Sequence, residues 1–452
     1  MLEDHQALIR SGEQRRIDVL KELRRLGVDT VRVVAHWSEI APRPNAARRP
    51  GFDAADPGAY PGFGPYDDLV ERAERSGFRV LITIGPDAPR WATQGSPPIT
   101  PANVNRRPST TLFADFAAAV AKRYSGDFHG RPAVGWFSIW NEPNHEQFLK
   151  PNLSSPAIYR KLVAAALPRI RAAAPDARVL VGETAPVGRP GKSIGPAHFL
   201  RSWLCLGPHF RPLAHIATSD AGCSGFKTLK VDGYAHHPYG PVDTIPRRED
   251  VINLLAIRRL GAALDRAAAA GRLPRNLPIY STEFGLQSNP PDPTVTTTLS
   301  RQAQLLNEKE EFSYRYPRLR SYSQYLFDDD PPRPGATPEE IWSGFQTGLR
   351  FADGRPKPAL DAYRLPIVVR RVASGVQIWG RVRPGDGTRS VQLERRLGRR
   401  FVASGARVET DDRGYFRVRR TQVASYRFRA FDGTGDGAKR IGFSRVAPPA
   451  AS

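Results

Sequence analysis

Short apolar runs alternate with amphipathic stretches along most of this chain, and that alternation restricts its fold more than any other feature. Residues 30–35 (TVRVVA), 79–84 (RVLITI), 133–140, 178–182, 231–235, 278–282 and 321–327 have the length and β-branched or aromatic content of strands. Between them lie helical patterns at about 13–26, 66–76, 109–124, 157–174, 196–205, 249–270, 298–313 and 357–364. In the clearest, Phe113, Phe116, Ala117, Val120, Ala121 and Tyr124 fall on one helical face. Strand–helix alternation of this length predicts parallel β/α architecture.

Connection lengths narrow the choice. Helix-to-strand links are short, as in Gly27-Val28-Asp29 and Ser76-Gly77-Phe78, whereas several strand-to-helix links are long and rich in Pro and Gly: 42–65, 85–108, 285–296 and 328–350. In a (β/α)8 barrel the second kind all emerge at the C-terminal face, where active sites are built. A doubly wound open sheet would need a glycine-rich phosphate loop after its first strand, and none is present. The expectation is a (β/α)8 barrel over residues 1–365. Seven strands are evident; the first is expected to be short or missing, ending near Glu3, with the natural start, and any secretion signal, further upstream.

After residue 365 the pattern changes to short β-rich runs (VQIWGRV, SVQLERR, GYFRVRR, SYRFRAF) separated by RPGDG, TDDRG and DGTGDG. Turns at this spacing predict a small all-β, Ig-like sandwich over 366–446, with 447–452 as a disordered tail. Of the net charge of +22, residues 366–452 carry 19 basic and 7 acidic side chains, or +12. With Arg far outnumbering Lys and no recognition module, this is not read as nucleic-acid binding; it suits attraction to an acidic cell-envelope polymer. No stretch has transmembrane length. Cys205 and Cys223 are expected to form a disulfide, which implies an oxidising compartment and so an extracellular or envelope location. A monomer is expected.

Two carboxylates stand at strand ends. In Trp136–Trp140 followed by Asn141-Glu142-Pro143-Asn144, a buried strand delivers Glu142 with an amide on either side; Trp136 and Trp140 are expected to add apolar bulk beside it. In IYSTEFG, Glu283 caps a second strand. Two such Glu facing one cleft suffice for glycoside cleavage, one protonating the leaving oxygen and the other attacking the anomeric carbon, without cofactor or metal.

The barrel with WNEPN and TEFG at the ends of strands four and seven resembles the clan A retaining glycoside hydrolases, nearest to families 39 and 5. That resemblance implies an O-glycosyl hydrolase acting on an oligo- or polysaccharide, with Glu142 as acid/base and Glu283 as nucleophile. It also implies that Asn141 contacts the sugar, that His237 and Tyr239 in AHHPYG support the nucleophile, and that Arg32 on strand two does the same. The tryptophan that often floors the sugar site is not evident; QYLFDDD offers Gln324 and Tyr325 in its place, with Trp342 in the following loop. His36, Trp37 and Trp91 are further candidates for sugar contact, and Glu183 is a rival carboxylate. His236 beside His237 has no third ligand at a supporting spacing, and the acidic run at 327–332 reads as a solvated turn rather than a calcium site. The alternatives are a transglycosylase using the same residues and a catalytically inactive carbohydrate-binding surface protein.

Overall fold

A computed structural model describes residues 1–93, 105–213, 223, 226–241, 243–335, 337, 340–435 and 437–450. A parallel sheet runs through β1 (Leu2–Glu3), β2 (Thr30–Ala35), β3 (Arg79–Ile84), β4 (Trp136–Ile139), β5 (Arg178–Thr184), β6 (Gly233–His236), β7 (Ile279–Ser281), β8 (Leu319–Ser321) and β9 (Gln324–Tyr325). The strand order is β8-β7-β6-β5-β4-β3-β2-β1-β9. β8 and β9 are two halves of one strand broken at Tyr322 and Ser323, the first paired to β7 and the second to β1. The sheet therefore closes into an eight-position barrel. The first strand, expected to be short or missing, is present as two buried residues, with Leu2 opposite Val31 on one side and Gln324 on the other.

The main helices are α1 (Glu13–Arg25), α2 (Gly64–Arg75), α3 (Thr110–Arg123), α4 (Ser155–Ala173), α5 (Pro196–Trp203), α6 (Ile257–Ala269), α7 (Leu299–Tyr314) and α8 (Pro358–Arg364). Side-chain caps start two of them: Ser109 accepts from the Leu112 N–H and Thr298 from the Arg301 N–H. On α3 the predicted face of Phe113, Phe116, Ala117 and Val120 is buried. The pattern at 249–270 becomes helical only from Ile257, because the Asn253 side chain caps a preceding turn by accepting from the Ala256 N–H.

Beyond α8 the chain forms two antiparallel sheets. One is β10 (Ile367–Val372), β11 (Gly375–Arg381) and β15 (Tyr415–Arg420). The other joins β12 (Ser390–Leu397), β13 (Arg400–Ala403), β14 (Val408–Glu409), β16 (Tyr426–Phe431) and β17 (Arg440–Phe443). Ile367, Val369, Ile378, Val391, Leu393, Phe416 and Phe428 of the two sheets share one core. This sandwich rests on α7: Arg383 Nη2 donates to Glu310 at 2.6 Å, Arg370 Nη2 to Glu311 at 2.7 Å, and Tyr314 packs on Tyr415 at 4.6 Å between centroids. The tail expected to be disordered is hydrogen-bonded as far as Ala450. The Ala447 N–H donates to Tyr426 O at 2.8 Å and the Ala450 N–H to Val369 O at 2.9 Å. β10 is an edge strand and β16 meets β17 only from Arg429 onward, and this segment takes up the backbone groups left free; residues 451 and 452 lie outside the described residues. No described helix is long and apolar enough to cross a membrane.

Candidate active site

The C-terminal ends of β4 and β5 are built from unusual backbone. Trp140 (φ 66°), Glu142 (φ 38°) and Glu183 (φ 46°) are non-glycine residues in the left-handed region, a conformation costing roughly 1–3 kcal/mol each unless the surroundings enforce it. Here they do. The Glu142 N–H donates to Glu183 O at 3.0 Å. Asn144, fully buried, donates from Nδ2 to Ala185 O and Ile194 O and accepts at Oδ1 from the Ala185 N–H, stapling the loop after β4 to the loop after β5. Trp140 Nε1 donates to Phe148 O at 2.9 Å. Its ring lies against Gly85, where an added Cβ would come within 3.0 Å of it. The second Asn of the motif thus holds the turn, leaving Asn141 and Glu142 for the cleft.

Glu142 and Glu283 share one opening at this face. A carboxylate oxygen of each, with a ring nitrogen of His237, lies within 4.8 Å of the others. Arg32, fully buried on β2, organises the floor. Its Nη1 donates to Glu283 Oε1 at 2.8 Å and also to Glu3; its Nη2 donates to Asn141 Oδ1 at 2.8 Å and Glu183 Oε2 at 3.1 Å; its Nε donates to Thr83 Oγ1 at 3.0 Å. With Oδ1 engaged, the Asn141 amide leaves Nδ2 without a partner among the described residues. His237 bridges Glu142 Oε1 (Nδ1, 2.9 Å) and Glu183 Oε2 (Nε2, 2.7 Å), with Nδ1 3.5 Å from Glu283 Oε2. The Tyr239 hydroxyl donates to Glu283 Oε2 at 3.3 Å.

Burial and charge set the protonation states. Desolvation alone would raise the pKa of Glu183, but Arg32, His237 and the Thr282 hydroxyl hold it at about 2. Burial works against a charged His237, yet Glu283, Glu142 and Glu183 around it raise its pKa to about 10. Burial raises Glu3 to about 8 despite Arg32. Arg32 is pushed above its ordinary value because Glu183, Glu3 and Glu283 outweigh its desolvation. The spacing of Glu142, His237 and Glu283 would also suit a cation, but both nitrogens of His237 are committed to carboxylates, so a metal would have to break buried ion pairs.

The structure brings together Arg32, Asn141, Glu142, His237, Tyr239 and Glu283. Of the other candidates, Trp37 and Gln324 are packed into the core. Trp37 is fully buried and stacked on Phe116 at 5.4 Å, because the turn at Trp37–Ile40 folds its ring inward; it has no face for a sugar. Gln324 is also fully buried and braces backbone, its Nε2 donating to Tyr325 O, Leu326 O and Thr347 O. Trp136 opens β4 and so stands at the opposite end of the barrel from Glu142. Trp91 is half-buried with its edge against Trp37 and Phe52, and His36 bonds Asp87 at 2.7 Å. Trp342 is half-buried in the loop after β9. His236 is a core residue held by Thr184 and Ile252 O. In the acidic run, Asp328 pairs with Arg15 and Arg350 and Asp329 with Lys357, so the run is not simply solvated.

Sequence reasoning missed Glu3 as a partner of Arg32 and treated Glu183 as a rival rather than as the anchor beneath the site. It also missed an aromatic group beside the nucleophile. Phe345, 42% exposed, stands 5.1 Å from Tyr325 and 6.3 Å from Tyr239. Gly285 permits this arrangement, since a Cβ there would approach Thr347 to 2.7 Å and push away the loop carrying Phe345.

The profile of the cellulase family, glycosyl hydrolase family 5, matches residues 9–316. No curated protein matches this chain significantly. Among solved structures, a monomeric beta-xylosidase from Caulobacter crescentus CB15 superposes with a TM-score of 0.53 at 16% identity, covering 87% of this chain and 81% of that one. A GH39 enzyme from Xanthomonas axonopodis pv. citri gives 0.52 at 14% identity over 92% and 90%. A glucosidase from Croceicoccus marinus gives 0.52 at 13% identity over 90% and 89%. At these identities the likeness is one of fold: a (β/α)8 barrel.

Proposed function

Because this chain belongs to the cellulase family of glycosyl hydrolases, family 5, we propose that it hydrolyses an oligo- or polysaccharide O-glycoside with retention of configuration. In the first step a Glu283 oxygen attacks the anomeric carbon while Glu142 gives its proton to the departing glycosidic oxygen; the C–O bond breaks and a glycosyl ester forms on Glu283. In the second, Glu142 takes a proton from water, which attacks the same carbon and returns Glu283 as a carboxylate. The supporting observation is the spacing: carboxylate oxygens within 4.8 Å favour the retaining arrangement of about 5–5.5 Å over the inverting one of about 6.5–9.5 Å, which must admit a water.

The division of labour follows from the partners. Glu283 receives Arg32 and Tyr239, donors that hold its carboxylate in place for attack. Glu142 has one side-chain partner among the described residues, His237, and gives its proton to the substrate from the opposite side of the cleft. Asn141 Nδ2 is the donor available to a sugar hydroxyl, and Phe345 with Tyr325 is the available apolar face. All these groups come from one chain, so a monomer suffices. The Cys205–Cys223 disulfide supports an extracellular or envelope location.

The test is a 2-deoxy-2-fluoro glycoside inactivator followed by peptide mapping, with NMR of the first-formed anomer. Labelling of Glu283 and a retained product are expected; an inverted product, or a label on another residue, would refute the assignment.

A further inference from the structure

The barrel's other end holds a second, different site. A cavity of about 860 Å3 lies between the N-terminal ends of the strands and the sandwich. Thr30, Trp136 and Arg178, which line it, are the first residues of β2, β4 and β5, whereas Glu142 and Glu283 lie beyond the last residues of β4 and β7. The two sites therefore stand on opposite faces of the barrel.

Its walls are basic. Arg79, Arg178, Arg320, Arg381, Arg383 and Arg413 line it against only Asp29, Asp232 and Glu310. Those three acids are already engaged: Asp29 with Arg79 at 3.2 Å, Asp232 with Arg171 at 2.5 Å, and Glu310 with Arg383 at 2.6 Å and Arg381 at 3.6 Å. Arg178, Arg320 and Arg413 have no carboxylate partner among the described residues, and all three are exposed. Arg383 is 3% exposed and its Nε is a buried donor with no acceptor. The floor is aromatic: Trp136 and Tyr280 meet edge-on at 5.1 Å above the small apolar cluster of Leu81, Leu180 and Ala235. The Arg178 guanidinium sits 4.8 Å from the Trp136 ring.

Guanidinium groups without a carboxylate partner among the described residues line a cavity large enough for several sugar units, beside the half-buried Trp136 ring. Guanidinium forks match carboxylate and phosphate oxygens. We propose that this cavity binds an anionic glycan, with its acidic groups on Arg178, Arg320 and Arg413 and a sugar face on Trp136. It would hold the enzyme on an acidic polymer while the opposite face of the barrel works on its substrate. The shared chemistry is a multivalent oxyanion on a sugar chain, supplied either by uronate carboxylates or by phosphodiesters.

The experiment is calorimetric titration of the full chain with oligogalacturonate, with a poly(glycerol phosphate) glycan, and with neutral dextran as control, at two salt concentrations. At least one polyanion should bind, more weakly at higher salt, while dextran does not. Arg178→Ala, Arg320→Ala and Arg413→Ala should each weaken binding roughly tenfold, the loss expected for one charge-assisted contact. Their combination should abolish it, and the three Arg→Lys changes together should restore part of it. Binding of one polyanion alone identifies the carboxylate or the phosphate source. Because the site is independent of the catalytic reading, Glu283→Gln should bind the polyanion as the wild type does even though its turnover is lost. Failure of both polyanions to bind, or unchanged binding by the triple Ala variant, would overturn the proposal.

Discussion

Glu183→Gln is the sharpest test of the electrostatic floor. The change is nearly isosteric. Oε2 accepts from Arg32 Nη2 (3.1 Å), His237 Nε2 (2.7 Å) and Thr282 Oγ1 (2.7 Å), while Oε1 faces only the Thr83 hydroxyl at 3.2 Å. A glutamine can keep its oxygen toward the three donors and turn its NH2 to the Thr83 oxygen, so what is lost is charge rather than shape. Glu183 ordinarily titrates at 4.5 and is held at about 2 in the fold, a gap equivalent to about 3 kcal/mol at 1.36 kcal/mol per pH unit. Its folded value is depressed, so that stabilisation is complete above pH 4.5 and is lost as pH falls toward 2. Breaking a buried pair costs about 3–5 kcal/mol by independent precedent, so both routes agree. At about 3–5 kcal/mol and roughly 2–4 °C per kcal/mol for a large domain, Tm at pH 7 should fall by about 6–20 °C. The assay is thermal and urea unfolding from pH 3 to pH 7: the variant should be destabilised at pH 7 and converge on the wild type toward pH 3. A variant with unaltered Tm at pH 7, or one that keeps the wild-type acid slope, would refute the view that Glu183 is an ionised anchor for Arg32 and His237.

Three further outcomes follow from single contacts. Tyr239→Phe removes the 3.3 Å hydrogen bond to Glu283 Oε2 and should lower kcat/KM roughly tenfold with Tm little changed, measured on an aryl glycoside. Trp37→Ala and Phe345→Ala should separate cleanly: the first empties a fully buried stacked position and should cost about 3–5 kcal/mol of stability, while the second, at a half-exposed ring beside Tyr325, should raise KM and leave Tm in place. Cys205→Ser should cost about 3 kcal/mol, the loop-closure contribution of a bond spanning 18 residues, and reductant should reproduce it in the wild type.

The repeated elements were legible because their signals are local. Helix faces and strand runs carry their periodicity within a dozen residues, and the long loops after strands identified the functional face of the barrel. What was not legible has a common cause. A two-residue strand such as Leu2–Glu3 has no period to detect, and the run at 321–327 hides a break at Tyr322 and Ser323 that only pairing to two different neighbours reveals. An aromatic residue just past a strand looks the same whether its ring faces a ligand or the core; the turn at Trp37–Ile40 decides for the core, and sequence does not encode that decision visibly. The partners of Arg32 come from β1, β3, β5 and the segments after β4 and β7, separations that no motif spacing records. Yet a general rule was available: a charged residue in a barrel strand must find opposite charge inside the barrel. Arg32, read with Glu183 at the end of another barrel strand, points to an anchored pair rather than to rival catalysts.

That anchored pair explains why this floor carries four carboxylates when the chemistry uses two. Burial pushes Glu3 up to about 8 against the pull of Arg32, while Arg32 and His237 hold Glu183 down at about 2. Arg32 and His237, both raised by the carboxylates around them, are the positive charges of this floor. On the proposed mechanism, forming the glycosyl ester removes the charge of Glu283 at the same moment that Glu142 gives up its proton and becomes negative. His237 lies against both, 2.9 Å from Glu142 and 3.5 Å from Glu283, so the negative charge passes from one side of a fixed cation to the other. The cluster's net charge is unchanged across the covalent step, which is the condition under which a buried, low-dielectric site resists the reaction least. Glu183 holds His237 through Nε2 at 2.7 Å, a contact that the covalent step does not touch.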